Sequence, residues 1–312
     1  MTTPSLDELF ERRSIYPDVE PQQRLARLVG LDDYKSRLTK LLGVLVNPKG
    51  LEMWANKYHP DAGDLLSSVL TRTPLVVLAG DVGSGKTELA ETIGDAVARS
   101  ESIDITLLPL SLSSRGQGRV GEMTKLLSLA FQYTVAEAEK FKSNTGKARG
   151  AVILLIDEAD AIAQSRESNQ MHHEDRAGVN AFIRGIDSIA KSQAPAAVIM
   201  CTNRLDSLDP AIKRRAAEIL LFSRPNDDQR KAVIEPLLVS LGLQHTQIAE
   251  IVKATGGEHS NKGYGFTFSD LTQRLLPTII LDAYPNGPVD AKRALEIANS
   301  IVPTTPFNEE GQ

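Results

Sequence analysis

The sequence predicts an α/β protein with a five-stranded parallel sheet, followed by a small all-helical domain. Five apolar runs are too short for helices, the first three are aliphatic on both faces, and helical patterns separate the runs. After these runs, from Asn226 to Val302, only helical periodicity is found. The predicted strands are PLVVLAG from Pro74, ITLLPL from Ile105, AVILLID from Ala151, AAVIMCTN from Ala196 and EILLFS from Glu218.

The change of character after the last strand sets the predicted domain boundaries. In SRPNDD, Asn226 can cap a helix whose first turn carries Asp227 and Asp228, so a new helical region begins there. The tail PTTPFNEEGQ is polar and contains proline, which predicts disorder. The sequence therefore predicts an N-terminal segment at 1–23, an α/β core at 24–224, a helical lid at 225–302 and a disordered tail at 303–312.

Composition restricts the classes of function. The chain has 312 residues, a net charge of −5 and a single cysteine, Cys201. The charge disfavours a dedicated nucleic-acid binder, although an acidic total is compatible with a locally basic channel, and one cysteine fits a reducing compartment. The first residues, MTTPSLDELFERRS, contain no apolar segment typical of a signal peptide, and no run is long enough to span a bilayer. We expect a cytoplasmic protein without membrane contacts.

The stretch GDVGSGKTE follows the first strand and opens a helix. It matches the pattern G-x-x-x-x-G-K-[ST], which in this context predicts a phosphate-binding P-loop, the Walker A motif. The glycines permit a turn whose N–H groups form an anion nest, Lys86 can reach the β- and γ-phosphates, and the Thr87 hydroxyl can hold Mg²⁺. The predicted ATP-binding residues are Gly80, Asp81, Val82, Gly83, Ser84, Gly85, Lys86, Thr87 and Glu88.

Two later strands end in polar residues. VILLIDEAD is an apolar strand ending in acids, the Walker B arrangement, in which Asp157 can hold Mg²⁺ through water and Glu158 can position or activate the attacking water. Adjacent acids at the end of a buried strand are costly unless a cation or water receives them. Asn203 ends the strand VIMCTN, and its amide could hydrogen-bond the γ-phosphate or the same water.

Together these motifs resemble the AAA+ ATPases over about residues 24–302. The segment LVGLDDYKSRL resembles the family's entry segment, which implies that Val29 and Gly30 lie against the adenine. The segment RLDSLDPAIKRRAAEILLFSRPNDDQR resembles the part of the family that runs from sensor 1 into the lid. The resemblance implies that Arg214 and Arg215 form the arginine-finger region presented to a neighbouring subunit, with Arg215 the better match.

Within the AAA+ family, RVGEMTKLL, NAFIRGIDSI and DPAIKRRAAE resemble the ATPases that remodel HORMA-domain proteins, including the bacterial kind associated with anti-phage signalling. The substrate-gripping pore loop would then contain Arg119, Val120 and Gly121, without the aromatic residue usual in such loops. Ser269 stands where many of these enzymes have the sensor 2 arginine. Arg274 either replaces that arginine or faces solvent.

The predicted function is that of a Mg²⁺-dependent ATPase that forms a homohexameric ring and unfolds, threads or disassembles a partner, plausibly a HORMA-domain protein. One alternative is a nucleic-acid motor or loader, which would need basic loops or an added DNA-binding domain. Another is a nucleotide-gated scaffold that binds ATP without hydrolysing it. The set of Glu158, Asn203 and Arg215 argues against that scaffold.

Overall fold

The computed structural model describes residues 9–112, 122–143, 147–160, 173–258 and 263–306. They form two compact units. The first comprises the described residues within Met1–Arg27, Asp33–Ala79 and Thr87–Leu221, and the second those within Leu28–Asp32, Gly80–Lys86 and Phe222–Gln312. The domain boundaries drawn from sequence stay predictions. The sequence did not predict that residues 28–32 and 80–86 belong to the same unit as the C-terminal helices.

A six-stranded sheet is the centre of the first unit, with strand order β1-β3-β4-β5-β2-β6. The strands are β1 (Ser14–Tyr16), β2 (Leu75–Gly80), β3 (Asp104–Ser111), β4 (Gly150–Asp157), β5 (Ala196–Thr202) and β6 (Glu218–Phe222). The helices are α1 (Val19–Ala26), α2 (Asp32–Val46), α3 (Pro48–Tyr58), α4 (Gly63–Leu70), α5 (Lys86–Glu101), α6 (Glu122–Glu139), α7 (His173–Ser192) and α8 (Pro210–Arg215).

The predicted α/β class is confirmed, but the expected five-stranded parallel sheet has an additional strand. All five apolar runs form strands, and β1 adds a sixth that pairs antiparallel with β3, with Ile15 opposite Thr106. The three residues of β1 are too few for periodicity to reveal a strand. Its position at the sheet edge comes from pairing with a distant segment, which local sequence does not encode.

Parallel pairing brings the polar ends of neighbouring strands to one edge. β3 pairs with β4 from Asp104 opposite Gly150 to Ser111 opposite Asp157, and β4 pairs in parallel with β5. The strand interiors are fully buried and pack against α6 and α7, where the rings of Phe131 and Phe182 meet edge to face at 5.7 Å. The aliphatic core therefore fixes where the strand ends, and hence their acids, are placed.

The second unit is helical in its C-terminal part. As predicted, Asn226 caps the first helix, with a capping box to Gln229. The buried aliphatic residues of these helices form a core of their own. The described residues include no helix long and apolar enough to cross a membrane. The elements are α9 (Asp227–Ser240), α10 (His245–Ala254), a π-helical turn (Asp270–Leu275), α11 (Leu276–Ala283) and α12 (Ala291–Ser300).

Candidate nucleotide site

The phosphate loop of the second unit follows a path that requires glycine. Gly80 has φ 145° and Gly83 has φ 71°, both in the left-handed region that favours glycine. A Cβ on Gly80 would lie 2.0 Å from the Phe222 carbonyl oxygen, and one on Gly83 would lie 2.7 Å from Oγ1 of Thr267. These contacts leave no space for a side chain, so the glycines allow the loop to turn closely against its own unit.

The side chain of Lys86 lies inside this loop. It is 6% exposed, and its Nζ donates to the carbonyl oxygens of Gly80 at 2.9 Å and Asp81 at 2.8 Å, and to the Ser84 hydroxyl at 3.4 Å. These bonds hold the ammonium where the loop turns. A cation in a turn of N–H groups at a helix start is suited to a phosphate chain.

The predicted adenine segment belongs to the same unit as the loop. A Cβ on Gly85 would meet the side chain of Leu31 at 3.4 Å, so the turn of residues 28–32 lies beside the phosphate loop. Nε2 of Gln229 donates to the Gly30 carbonyl at 2.9 Å while its Oε1 accepts from the Asn226 amide at 3.0 Å. Sequence reasoning missed Gln229 as a support for the turn at Val29. Its spacing of three from Asn226 is typical of a capping box and carries no signal for the contact with Gly30.

In the first unit, the acid at the end of β4 has an altered pKa. Burial raises the pKa of the Asp157 carboxyl above its ordinary value, although hydrogen bonds from the Glu158 backbone and the Thr87 side chain lower it. The Glu158 amide donates to Oδ1 of Asp157 at 2.8 Å. The predicted magnesium ligands, Thr87 and Asp157, are therefore in contact. An oxygen pair of this kind fits a hard divalent cation, which would favour the ionised carboxylate.

Glu158 has an unusual backbone conformation. Its φ is 51°, which is uncommon for a residue with a side chain, and it is exposed. The next residue, Ala159, is buried, and its amide donates to the Cys201 carbonyl of β5 at 3.0 Å. The chain thus reverses sharply after β4 while it remains bonded to the neighbouring strand. Such a conformation costs free energy and persists only where the surrounding structure supports it. Residues of this kind cluster at functional sites.

Asp160 is a residue whose role the sequence analysis missed. Its Oδ1 accepts from the Thr202 hydroxyl at 2.6 Å and the Asn203 amide at 2.9 Å, and its Oδ2 accepts from Nδ2 of Asn203 at 3.1 Å. These bonds fix the orientation of the Asn203 side chain. An amide NH₂ carries two hydrogens, and one of them serves Asp160. The available signal was the third acid of the DEAD run.

The two candidate finger arginines have different surroundings. Arg214 is exposed. Arg215 donates to Asp187 of α7 through Nε to Oδ1 at 2.9 Å and through Nη2 to Oδ2 at 3.2 Å. The assignment of either arginine to a neighbouring subunit stays a prediction. Asp187, which lies in the segment NAFIRGIDSI, is a further residue that sequence reasoning did not select.

Other predicted site residues have described partners in other segments, or lie beyond the part of the chain that the structure describes. Glu88 is paired with Arg24 of α1 through two bonds of 2.7 Å. Arg274 donates to Asp270 at 2.8 Å and to the Val302 carbonyl at 2.9 Å. Its described partners are therefore in its own unit. The predicted pore-loop residues Arg119, Val120 and Gly121, and residues 307–312 of the predicted tail, lie outside the described residues.

Comparisons with known proteins agree with the motifs. The family described as "ATPase family associated with various cellular activities (AAA)" matches residues 76–224. A curated relative, CD-NTase-associated protein 6 of Escherichia coli (strain MS 115-1), is 67% identical over 97% of this chain and 97% of the relative.

Solved structures extend the similarity to the whole fold. A chain of the E. coli MS115-1 HORMA:CdnC:Trip13 complex is 65% identical, with TM-score 0.90, over 98% of this chain and 100% of that one. The Rhizobiales Trip13 structure is 57% identical, with TM-score 0.74, over 96% of this chain and 100% of that one. This chain is therefore a member of the AAA ATPase family, in the group that includes the bacterial CD-NTase-associated proteins 6.

Proposed function

We propose that this chain is a Mg²⁺-dependent ATPase that works as a ring of six copies and remodels a HORMA-domain protein in a bacterial anti-phage system. The arrangement at the end of β4, with Asp157 bonded to Thr87 and Asn203 fixed by Asp160, is the observation that carries the hydrolytic part. Similarity to a chain of a HORMA:CdnC:Trip13 complex supports the partner.

Each residue has a separate task in this proposal. Lys86 and the loop N–H groups bind the β- and γ-phosphates, and Thr87 and Asp157 hold Mg²⁺. When bound, Mg²⁺ neutralises charge on the phosphate oxygens. The Glu158 carboxylate orients a water and accepts its proton, and the Asn203 amide fixes the direction of attack. Arg214 and Arg215 stabilise the γ-phosphate of the neighbouring copy.

Glu158→Gln tests the hydrolytic role. The amide keeps the size of the side chain but cannot accept the proton, so turnover should fall by about 10²–10⁴-fold while ATP stays bound. Phosphate release and the nucleotide content of the purified ring are the measurements. Arg293→Ala, which breaks an exposed ion pair with Asp282, is the control. Normal turnover in Glu158→Gln would overturn the assignment of Glu158.

The same variant tests the partner. An ATP-bound ring that cannot turn over should retain a HORMA-domain protein, which would then co-elute with it in size-exclusion chromatography. Failure to retain any HORMA-domain protein would contradict the partner alone.

The ring is tested with the unmodified chain. Its turnover per copy should rise with protein concentration, since each site requires a second copy. Equal specific activity at all concentrations would contradict the ring.

A further inference from the structure

Arg224 follows β6 by two residues and joins three distant parts of the second unit. Its Nε donates to Oδ2 of Asp81 at 2.6 Å, its Nη1 to the Gly265 carbonyl at 2.6 Å and its Nη2 to the Thr304 carbonyl at 2.7 Å. The guanidinium also lies over the ring of Tyr264, 5.0 Å from its centroid. Its side chain is only 14% exposed. One guanidinium therefore connects the phosphate loop to the segment around Thr304.

The first of these contacts concerns a charge inside the phosphate loop. Asp81 is 16% exposed, its Oδ1 accepts from the Val82 amide at 3.0 Å and its carbonyl oxygen accepts from Nζ of Lys86 at 2.8 Å. The carboxylate thus helps to shape the loop. Its negative charge would repel a polyanion unless a cation compensates it, and Arg224 supplies that cation.

The last contact concerns a residue that the sequence placed in a disordered tail. Besides the bond from Arg224 to its carbonyl, the amide of Thr304 donates to Oδ2 of Asp270 at 3.0 Å and its hydroxyl donates to Oδ1 at 2.7 Å. Asp270 opens the π-helical turn directly after Ser269, whose amide donates to the Gly83 carbonyl at 3.1 Å. The segment around Thr304 is therefore held by Arg224, which is bonded to the phosphate loop, and by Asp270, whose neighbour Ser269 is bonded to that loop.

We propose that Arg224 is a positioning residue that neutralises Asp81 and couples the phosphate loop to the C-terminal segment at Thr304, so that nucleoside triphosphate affinity depends on both. This inference rests on the proposed ATP binding. Arg224 does not touch the nucleotide in this scheme. It acts through Asp81, and removal of Arg224 leaves an uncompensated carboxylate next to the phosphates.

The charge argument is tested by a double-mutant comparison. Arg224→Ala should weaken the binding of a fluorescent ATP analogue by about 30-fold, because one partner of a partly buried charge pair is lost. Adding Asp81→Asn to that variant should restore part of the affinity, since it removes the uncompensated charge. Asp81→Asn alone should cost less than Arg224→Ala. Arg293→Ala, in the same unit, is the control and should bind as the unmodified chain does.

The coupling to the C-terminal segment is tested by two truncations. A chain ending at Val302 lacks Thr304 and should lose affinity, and Arg224→Ala should then add little further loss because the shared contact is already gone. A chain ending at Pro306 keeps Thr304 and should bind normally. Arg224→Lys keeps the charge but cannot bond all three partners, so its affinity should be intermediate and should depend less on Thr304.

The outcomes separate this inference from the proposed function. If the unmodified chain binds no ATP analogue, the proposed function fails. If it binds and Arg224→Ala binds equally well, or Asp81→Asn restores nothing, the inference is overturned. Circular dichroism shows whether Arg224→Ala is folded. If Arg224→Ala is unfolded, Arg224→Lys replaces it in the comparison, alone and combined with the truncation at Val302. If the truncation lowers ATP-analogue affinity equally in the unmodified chain and in Arg224→Lys, the coupling is overturned.

Discussion

Arg215 and Arg224 are nine positions apart in the sequence and both pair with an aspartate, but their surroundings differ. The Arg215 and Asp187 side chains are 32% and 40% exposed, and each belongs to the first unit. The Arg224 and Asp81 side chains are 14% and 16% exposed, and each belongs to the second. Both pairs are partly buried, but the more exposed pair contributes less and can separate more cheaply, whereas breaking the less exposed pair costs more. Arg215 is therefore suited to leave its partner for a neighbouring copy, and Arg224 to stay fixed.

The largest expected effect is on ATP turnover and comes from removing Arg215. Arg215→Ala should lower turnover by about 10³-fold, the range for loss of an arginine finger, and leave ATP affinity nearly unchanged. Asp187→Asn should cost much less, because Asp187 only orients the guanidinium. Mixing Arg215→Ala with Lys86→Ala copies should restore turnover, since the latter supply Arg215 to intact phosphate loops. No restoration would contradict a role in trans.

Stability should show the opposite order of effects. Arg224→Ala should lower the free energy of unfolding by about 2–3 kcal/mol, between the costs for exposed and fully buried pairs, because it leaves the partly buried Asp81 without its cation. Arg215→Ala should change it by about 1 kcal/mol or less, since water solvates the exposed Asp187. Urea unfolding without nucleotide measures both variants. Equal losses would mean that exposure does not separate the two pairs.

Asp160 offers a third aspartate, whose described partners are the Thr202 hydroxyl and the backbone and side-chain amides of Asn203. Asp160→Ala should lower kcat by about 10-fold or more while ATP affinity changes little, because Asn203 loses its fixed orientation. Asp160→Asn should recover part of the rate, as its amide oxygen can still accept one bond. Steady-state kinetics at saturating ATP measure the difference. Unchanged kcat in Asp160→Ala would remove Asn203 orientation from the mechanism.

The smallest expected effect is on the pH dependence of stability, through Asp270, which shares the partner Thr304 with Arg224. Burial opposes ionisation of Asp270, but hydrogen bonds from Thr267, Thr304 and Arg274 lower its pKa below the ordinary value in the folded chain. The stabilisation from the ionised Asp270 is therefore fully present above the pKa that this carboxyl has in the unfolded chain. It is lost as pH falls through the lower pKa of Asp270 in the folded chain. Asp270→Asn should flatten the pH dependence of the free energy of unfolding below about pH 4, the ordinary range of an aspartate pKa. Urea unfolding at a series of acidic pH values measures it, and an unchanged slope would contradict this.

Much of the fold and part of the candidate site were predictable from the sequence. The five long strands follow from short aliphatic runs, because burial on both faces needs apolar residues in succession. The phosphate loop follows from glycine, lysine and threonine at fixed spacing, and the cap at Asn226 from a short local pattern. Each of these features depends on residues close together in the chain, where composition and spacing carry the information.

Only the tertiary structure decided the partners of the site residues. These partners come from segments that are 43 to 143 residues apart in the sequence. They are β1 with β3, Asp160 with Asn203, and Arg224 with Asp81 and Thr304. A single arginine after a strand carries no local pattern that names its acceptor. The sequence by itself predicted which groups would bind a nucleotide. The fold decided what holds those groups in place, because long-range contacts exist only after the core has brought the segments together.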